Sequence, residues 1–109
     1  MPASGLAPNP LTLPENLTVR TAADVKEILL HALNAHAAVD LDIPVQAAID
    51  LSFIQTVEAA RLYAGKCEKK LSLSRAADGV LLAVLNRGGI VEGMDLHDKQ
   101  FWLHQGETQ

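Results

Sequence analysis

Asp40, Asp42, Asp50 and Ser52 fall within the stretch Val39-Asp40-Leu41-Asp42-Ile43-Pro44-Val45-Gln46-Ala47-Ala48-Ile49-Asp50-Leu51-Ser52. Two kinds of chemistry suit such a group. Three carboxylates could supply oxygen ligands to Mg2+ and make one of them a phosphoacceptor. Alternatively, a helix opening at Asp50 would present free backbone N–H groups and about half a positive charge. A hydroxyl placed there can be phosphorylated, or the surface can dock a partner. The residue that decides is the one after Asp50, and it is Leu51, which carries no hydroxyl. Asp40 and Asp42 alternate with Val39, Leu41 and Ile43, so both lie on the outward face of a strand, where solvated carboxylates are the ordinary outcome. No metal site is expected.

The elements that position this stretch follow from periodicity. Residues 1–10 are rich in Pro, Ala, Gly, Ser and Asn and read as an arm. Leu11-Thr12-Leu13 and Leu17-Thr18-Val19 alternate around Pro14-Glu15-Asn16, giving two short strands joined by a turn. Thr21 as N-cap with Asp24 three residues on approximates a capping box. The stripe Val25, Ile28, Leu29, Ala32, Leu33 and His36 then predicts an amphipathic helix. Val39 to Ile43 is a strand, and a helix runs from Asp50 to about Gly65 with Phe53, Val57, Ala60 and Ala64 on one face and Ile54 flanking it. Leu71 and Leu73 alternate with Ser72 and Ser74 in a further strand. Asp78 opens a third helix, with Val80, Leu81, Val84 and Leu85 as its stripe and Gly88-Gly89 as its stop. Strands covered on both faces would be apolar throughout. The alternation therefore predicts an α/β fold with right-handed crossovers and helices mainly on one face of the sheet.

Bulk composition removes several function classes. The chain has 109 residues, enough for one domain, and 49% hydrophobic residues, enough for one core. A net charge of -4, with nine scattered Lys and Arg, argues against nucleic acid as a partner. A single cysteine, Cys67, forbids an internal disulfide and suits a reducing compartment. Apolar runs are too short for a membrane span, and Met1-Pro2-Ala3-Ser4-Gly5 lacks the features of a signal peptide, so a cytoplasmic location is expected. His31, His36, His97 and His104 show no zinc spacing with Cys67. Neither a nucleophile elbow nor a glycine-rich phosphate loop is present, and neither catalysis nor a cofactor is expected. Phe101-Trp102-Leu103 reads as an apolar cluster closing the open edge of the core, the alternative being a partner anchor.

Val39 to Ile43, the helix opening Asp50-Leu51-Ser52-Phe53-Ile54-Gln55-Thr56-Val57, and Asp78 through Ile90 together resemble the STAS domain. This is the fold of bacterial anti-sigma factor antagonists and of the small STAS subunits of chemotaxis clusters and phospholipid-trafficking ABC systems. The resemblance covers residues 11–103, leaving 104–109 as a tail, and implies a STAS-like sandwich with a mixed sheet of about four strands. It implies a non-catalytic regulatory protein that binds an anti-sigma factor of the kinase-like ATPase type, a chemotaxis component or an ABC transporter ATPase. The family pattern is Asp, then Ser or Thr, then a small residue, often followed by Gly-Leu. Asp50 matches, Ser52 falls on the small residue and Ile54 on the leucine. Leu51 stands where the phosphoacceptor would be, so the resemblance implies a contact surface of Asp50, Leu51, Ser52 and Gln55 without the usual switch. Ser52 is then the candidate phosphosite. A phosphoacceptor or nucleotide-binding signalling protein using Ser52 or Asp50 is the alternative function, and a homodimer through Leu51 is a further arrangement.

Overall fold

The computed structural model describes residues 8–105. Most of the arm assigned to 1–10 lies outside them, as do the last residues of the tail. The chain order is β1 (Asn9–Thr12), β2 (Asn16–Leu17), a short helical turn Val19–Thr21, α1 (Ala22–Ala35), β3 (Ala38–Asp42), β4 (Ala48–Ile49), α2 (Leu51–Lys66), β5 (Lys70–Leu73) and α3 (Gly79–Arg87), then Leu96–Asp98, labelled α4, and a wide helical turn Lys99–Leu103.

This is an α/β fold, and every strand pairing among the described residues is parallel. The strands form two small sheets, a three-stranded one in the order β1-β3-β5 and a two-stranded one of β2 and β4. A single mixed sheet of about four strands is therefore not what forms. The two N-terminal segments do not pair with each other. Each crosses to a strand later in the chain, Leu11 opposite Leu41 and Leu17 opposite Ile49. Such long-range pairings leave no local turn signal.

One face of the larger sheet is apolar. Val39, Leu41 and Leu73 are buried beneath the helices with Val25, Leu29 and Leu33 of α1 and Phe53, Ile54 and Val57 of α2. The other face carries Thr12, Asp40, Asp42 and Ser72, and the Ser72 hydroxyl donates to Asp40 at 2.8 Å. The period of two in the sequence thus corresponds to a real division between core and surface.

Several helix ends differ in detail from the expectation. Thr21 holds the N-cap position of α1, but its hydroxyl makes no capping bond and donates instead to the Asn16 carbonyl at 2.8 Å. His36 does not continue the α1 stripe. It is the extended C-cap residue and is exposed. Asp78 precedes α3 without a side-chain cap, and Val80 faces solvent while Leu81, Val84 and Leu85 are buried. The stop at Gly88-Gly89 is as expected: Gly89 adopts φ +72°, and the Ile90 N–H returns to the Leu85 carbonyl at 3.0 Å.

The C-terminal segment closes the core. Trp102 is fully buried, meets Phe101 edge-on at 4.9 Å, and donates its indole N–H to Glu58 of α2 at 2.7 Å. Arg61 lies over the Phe101 ring and bridges Glu58 and Asp98 at 2.9 and 3.0 Å. The reading of Trp102 as core closure holds, and the reading as an exposed anchor does not.

Candidate partner-docking site

The start of α2 is built by Asp50. Its backbone is extended, and one carboxylate oxygen accepts from the Ser52 N–H at 3.0 Å and from the Ser52 hydroxyl. The other oxygen accepts from the Val19 N–H at 2.9 Å. Asp50 therefore does more than cap its own helix, because it ties α2 to the turn that leads into α1. The backbone supports the same junction, with the Asp50 N–H donating to the Leu17 carbonyl at 3.2 Å. A single cap contributes ~1 kcal/mol, and the bond to Val19 adds a long-range tether that spacing alone does not reveal.

The Ser52 hydroxyl first, and then the Val19 N–H, hold the Asp50 carboxyl below the ordinary carboxylate range. Because the folded form binds its proton less readily than the unfolded chain, Asp50 contributes stability that is complete above the unfolded value near ~4. That contribution is lost as pH falls through the lower folded value. Denaturant midpoints measured from pH 7 downward are expected to fall more steeply below about pH 4 in the wild type than in Asp50→Asn. Asp95, lowered chiefly by the Asp98 N–H, acts in the same direction in both proteins and cancels in the comparison. Parallel acid limbs would show that the carboxylate of Asp50 is not a stabilising group.

Leu51 follows the cap and projects outward at 42% exposure. One of its methyl groups rests against Gly88, where a Cβ would approach it to 3.1 Å. Gln55, one turn on, is also exposed, and the two residues line a shallow apolar groove with Ala59, Leu62 and Ile90. Ser52 turns to the other side of the helix, into a groove between α1 and α2 that also contains Lys26, Leu30 and Tyr63. The four residues of the expected contact surface are thus together at one helix end, but on two sides of it.

Sequence reasoning missed Leu62, Ile90 and Val19. Leu62 is 70% exposed, and its spacing of eleven from Leu51 puts both on one outer stripe of α2. That repeat was present in the sequence and was masked by the stronger core stripe of Phe53, Val57 and Ala60. Asp40 and Asp42 do not join Asp50. They bond Ser72 and Thr12 on the open sheet face, and among the described residues no three acidic, histidine or cysteine side chains come together as metal ligands. Comparison with protein-family models, with curated proteins and with solved structures finds no match to this chain.

Proposed function

We propose that this chain is a non-catalytic, STAS-like regulatory domain that captures a protein partner through the start of α2, with Leu51 as the contact and Asp50 as the group that holds it in place. The observation that carries this reading is an apolar side chain left on the surface beside a doubly anchored cap. An exposed leucine alone needs no explanation. Leu51, however, adjoins Leu62 and Ile90 in one groove, and Asp50 immediately before it is fixed by two bonds to the segment Leu17–Val19. A preformed contact of this kind loses little entropy on binding. Partners of the class expected are an anti-sigma factor of the kinase-like ATPase type, a chemotaxis component or an ABC transporter ATPase.

The reading includes the absence of a phosphorylation switch. Ser52 is half-buried and its hydroxyl is engaged as a donor to Asp50. A phosphoryl group there would remove that donor and set about -1.5 to -2 charges against the Asp50 carboxylate. Stoichiometric phospho-Ser52 in protein isolated from its native cell would overturn this part of the reading.

The partner identified by crosslinking in that cell should bind the wild-type chain and fail to bind Leu51→Asp at comparable concentration. Equal binding by a folded Leu51→Asp chain would remove the start of α2 from the interface.

A further inference from the structure

The solvent side of α2 differs from that of α1. On α1 the exposed residues include Asp24, Lys26, Glu27 and His31, the charged face expected of a surface helix. On α2 the exposed stripe is Leu51, Gln55, Ala59, Leu62 and Gly65, and the first exposed charge is Lys66 at the helix end. The stripe is therefore uncharged for about four turns. Glu58 and Arg61 flank it, but they pair with each other at 2.9 Å.

The stripe is also accessible along its length. Gln55 and Ala59 border a groove on each side of α2, one toward α1 and one toward Gly88 and Ile90. A Cβ on Gly65 would meet nothing within 4 Å. Another helix can thus approach the whole outer side of α2.

The order of residues along the stripe is self-complementary. An antiparallel copy of α2 placed with Ala59 against Ala59 brings Leu62 of each copy level with Gln55 of the other, between its Leu51 and Ala59. The small side chain at the centre permits close approach, and the leucines fill the spaces on either side. Lys66, which has no ion pair among the described residues, comes level with Leu51 of the other copy, beside Asp50. The full charge of that carboxylate outweighs the half charge of the helix start. Glu58, the charged group nearest the axis, is neutralised by Arg61.

We propose that the outer stripe of α2 is an isologous self-association surface, joining two copies of this chain about a two-fold axis at Ala59 through Leu51, Leu62 and Lys66. One helix pair is smaller than a standard interface, and the net charge of -4 on each copy opposes association. The dimer is accordingly weak, with a dissociation constant of about 0.1 mM. It does not rest on the function proposed above; it adds that a partner docked on Leu51 and a second copy exclude each other.

The test uses the full chain. Sedimentation velocity from about 10 µM to about 1 mM should show monomer passing to dimer. Ala59→Arg should raise the dissociation constant at least roughly tenfold, and Lys66→Glu about threefold. In a Cys67→Ser background, Ala59→Cys should give a disulfide-linked dimer with oxidised glutathione, while Ala23→Cys on α1 and Ala83→Cys on α3 should not; all three alanines are exposed, so the fold is kept. Monomer throughout the range, a dimer that Ala59→Arg leaves unchanged, or crosslinking of Ala59→Cys no faster than that of the two controls overturns the proposal. None of these measurements contains a partner, so their failure leaves capture at Leu51 to its own test.

Discussion

Trp102→Ala is expected to lower stability by about 3–5 kcal/mol and the melting midpoint by roughly 10–20 °C. The side chain is fully buried, and its removal leaves the largest void any single truncation in this core would make. Three further contacts fail with it. Phe101 loses its edge-on partner at 4.9 Å, Glu58 loses the indole donor, and the segment that presents the Trp102 carbonyl to the Ala77 N–H at 2.7 Å loses its anchor. Since a domain of this size is stable by ~5–15 kcal/mol in total, the variant should be partly unfolded at physiological temperature. Trp102→Phe separates the terms. It retains most of the apolar contact and deletes only the donor to Glu58, a loss of about 1–2 kcal/mol softened by Arg61, which still holds that carboxylate. Denaturant titration of the two variants reads both numbers. A loss below about 1 kcal/mol for Trp102→Ala would mean that the C-terminal segment does not seal the core.

That segment is also where sequence reasoning reached least far. Phe101-Trp102-Leu103 announced an apolar cluster, but nothing in its periodicity announced a wide helical turn at Lys99–Leu103 with the Glu58–Arg61–Asp98 bridge beside it. Those partners lie far apart in the chain, and side-chain ion pairs have no period. The helices were legible for the opposite reason. Val25, Leu29, Ala32 and Leu33 repeat at the turn of one helix, and all are buried. Likewise β3 could be read from Val39 and Leu41 alone, because alternation is a local property and one sheet face is open to water. Which strands pair is not local. The crossing of Leu17 to Ile49, and hence the division into two small sheets, is decided by packing between segments that sequence order keeps apart.

The candidate site divides along the same line. Asp50 was legible as a cap, and the Ser52 N–H bond at 3.0 Å fulfils that local role. Its second bond, to Val19, was not legible, since it depends on where the turn before α1 comes to rest. Leu51 as a surface residue was expected only through the resemblance. Its support by Gly88 came from the fold, where the end of α3 passes beneath the start of α2.

Leu51→Asp should weaken partner binding by about 2–4 kcal/mol, or roughly thirty- to several-hundred-fold, while leaving the domain folded. The two effects separate because they act on different states. In the free protein an aspartate at the first helical position faces water and the positive end of the helix, which favours it. The lost contact with Gly88 and Ile90 offsets this, and the net change in stability should stay within about 1 kcal/mol. In the complex the same carboxylate would be desolvated without a partner group, beside the carboxylate of Asp50. Leu51→Ala removes only apolar contact. With the side chain already more than half covered, at 42% exposure, the remaining gain on docking is about 1 kcal/mol, a fivefold loss. Gly88→Ala then tests the geometry without touching the contact residue. Its backbone, φ -81°, accepts an L side chain, but the new methyl would press on Leu51 from 3.1 Å and tilt it. Affinity should fall a fewfold with stability nearly unchanged. The order Leu51→Asp, then Leu51→Ala and Gly88→Ala, measured by titration calorimetry against one purified partner, is what an interface centred on this side chain requires. An Asp variant no weaker than the Ala variant would mean that position 51 stays in water when the partner binds.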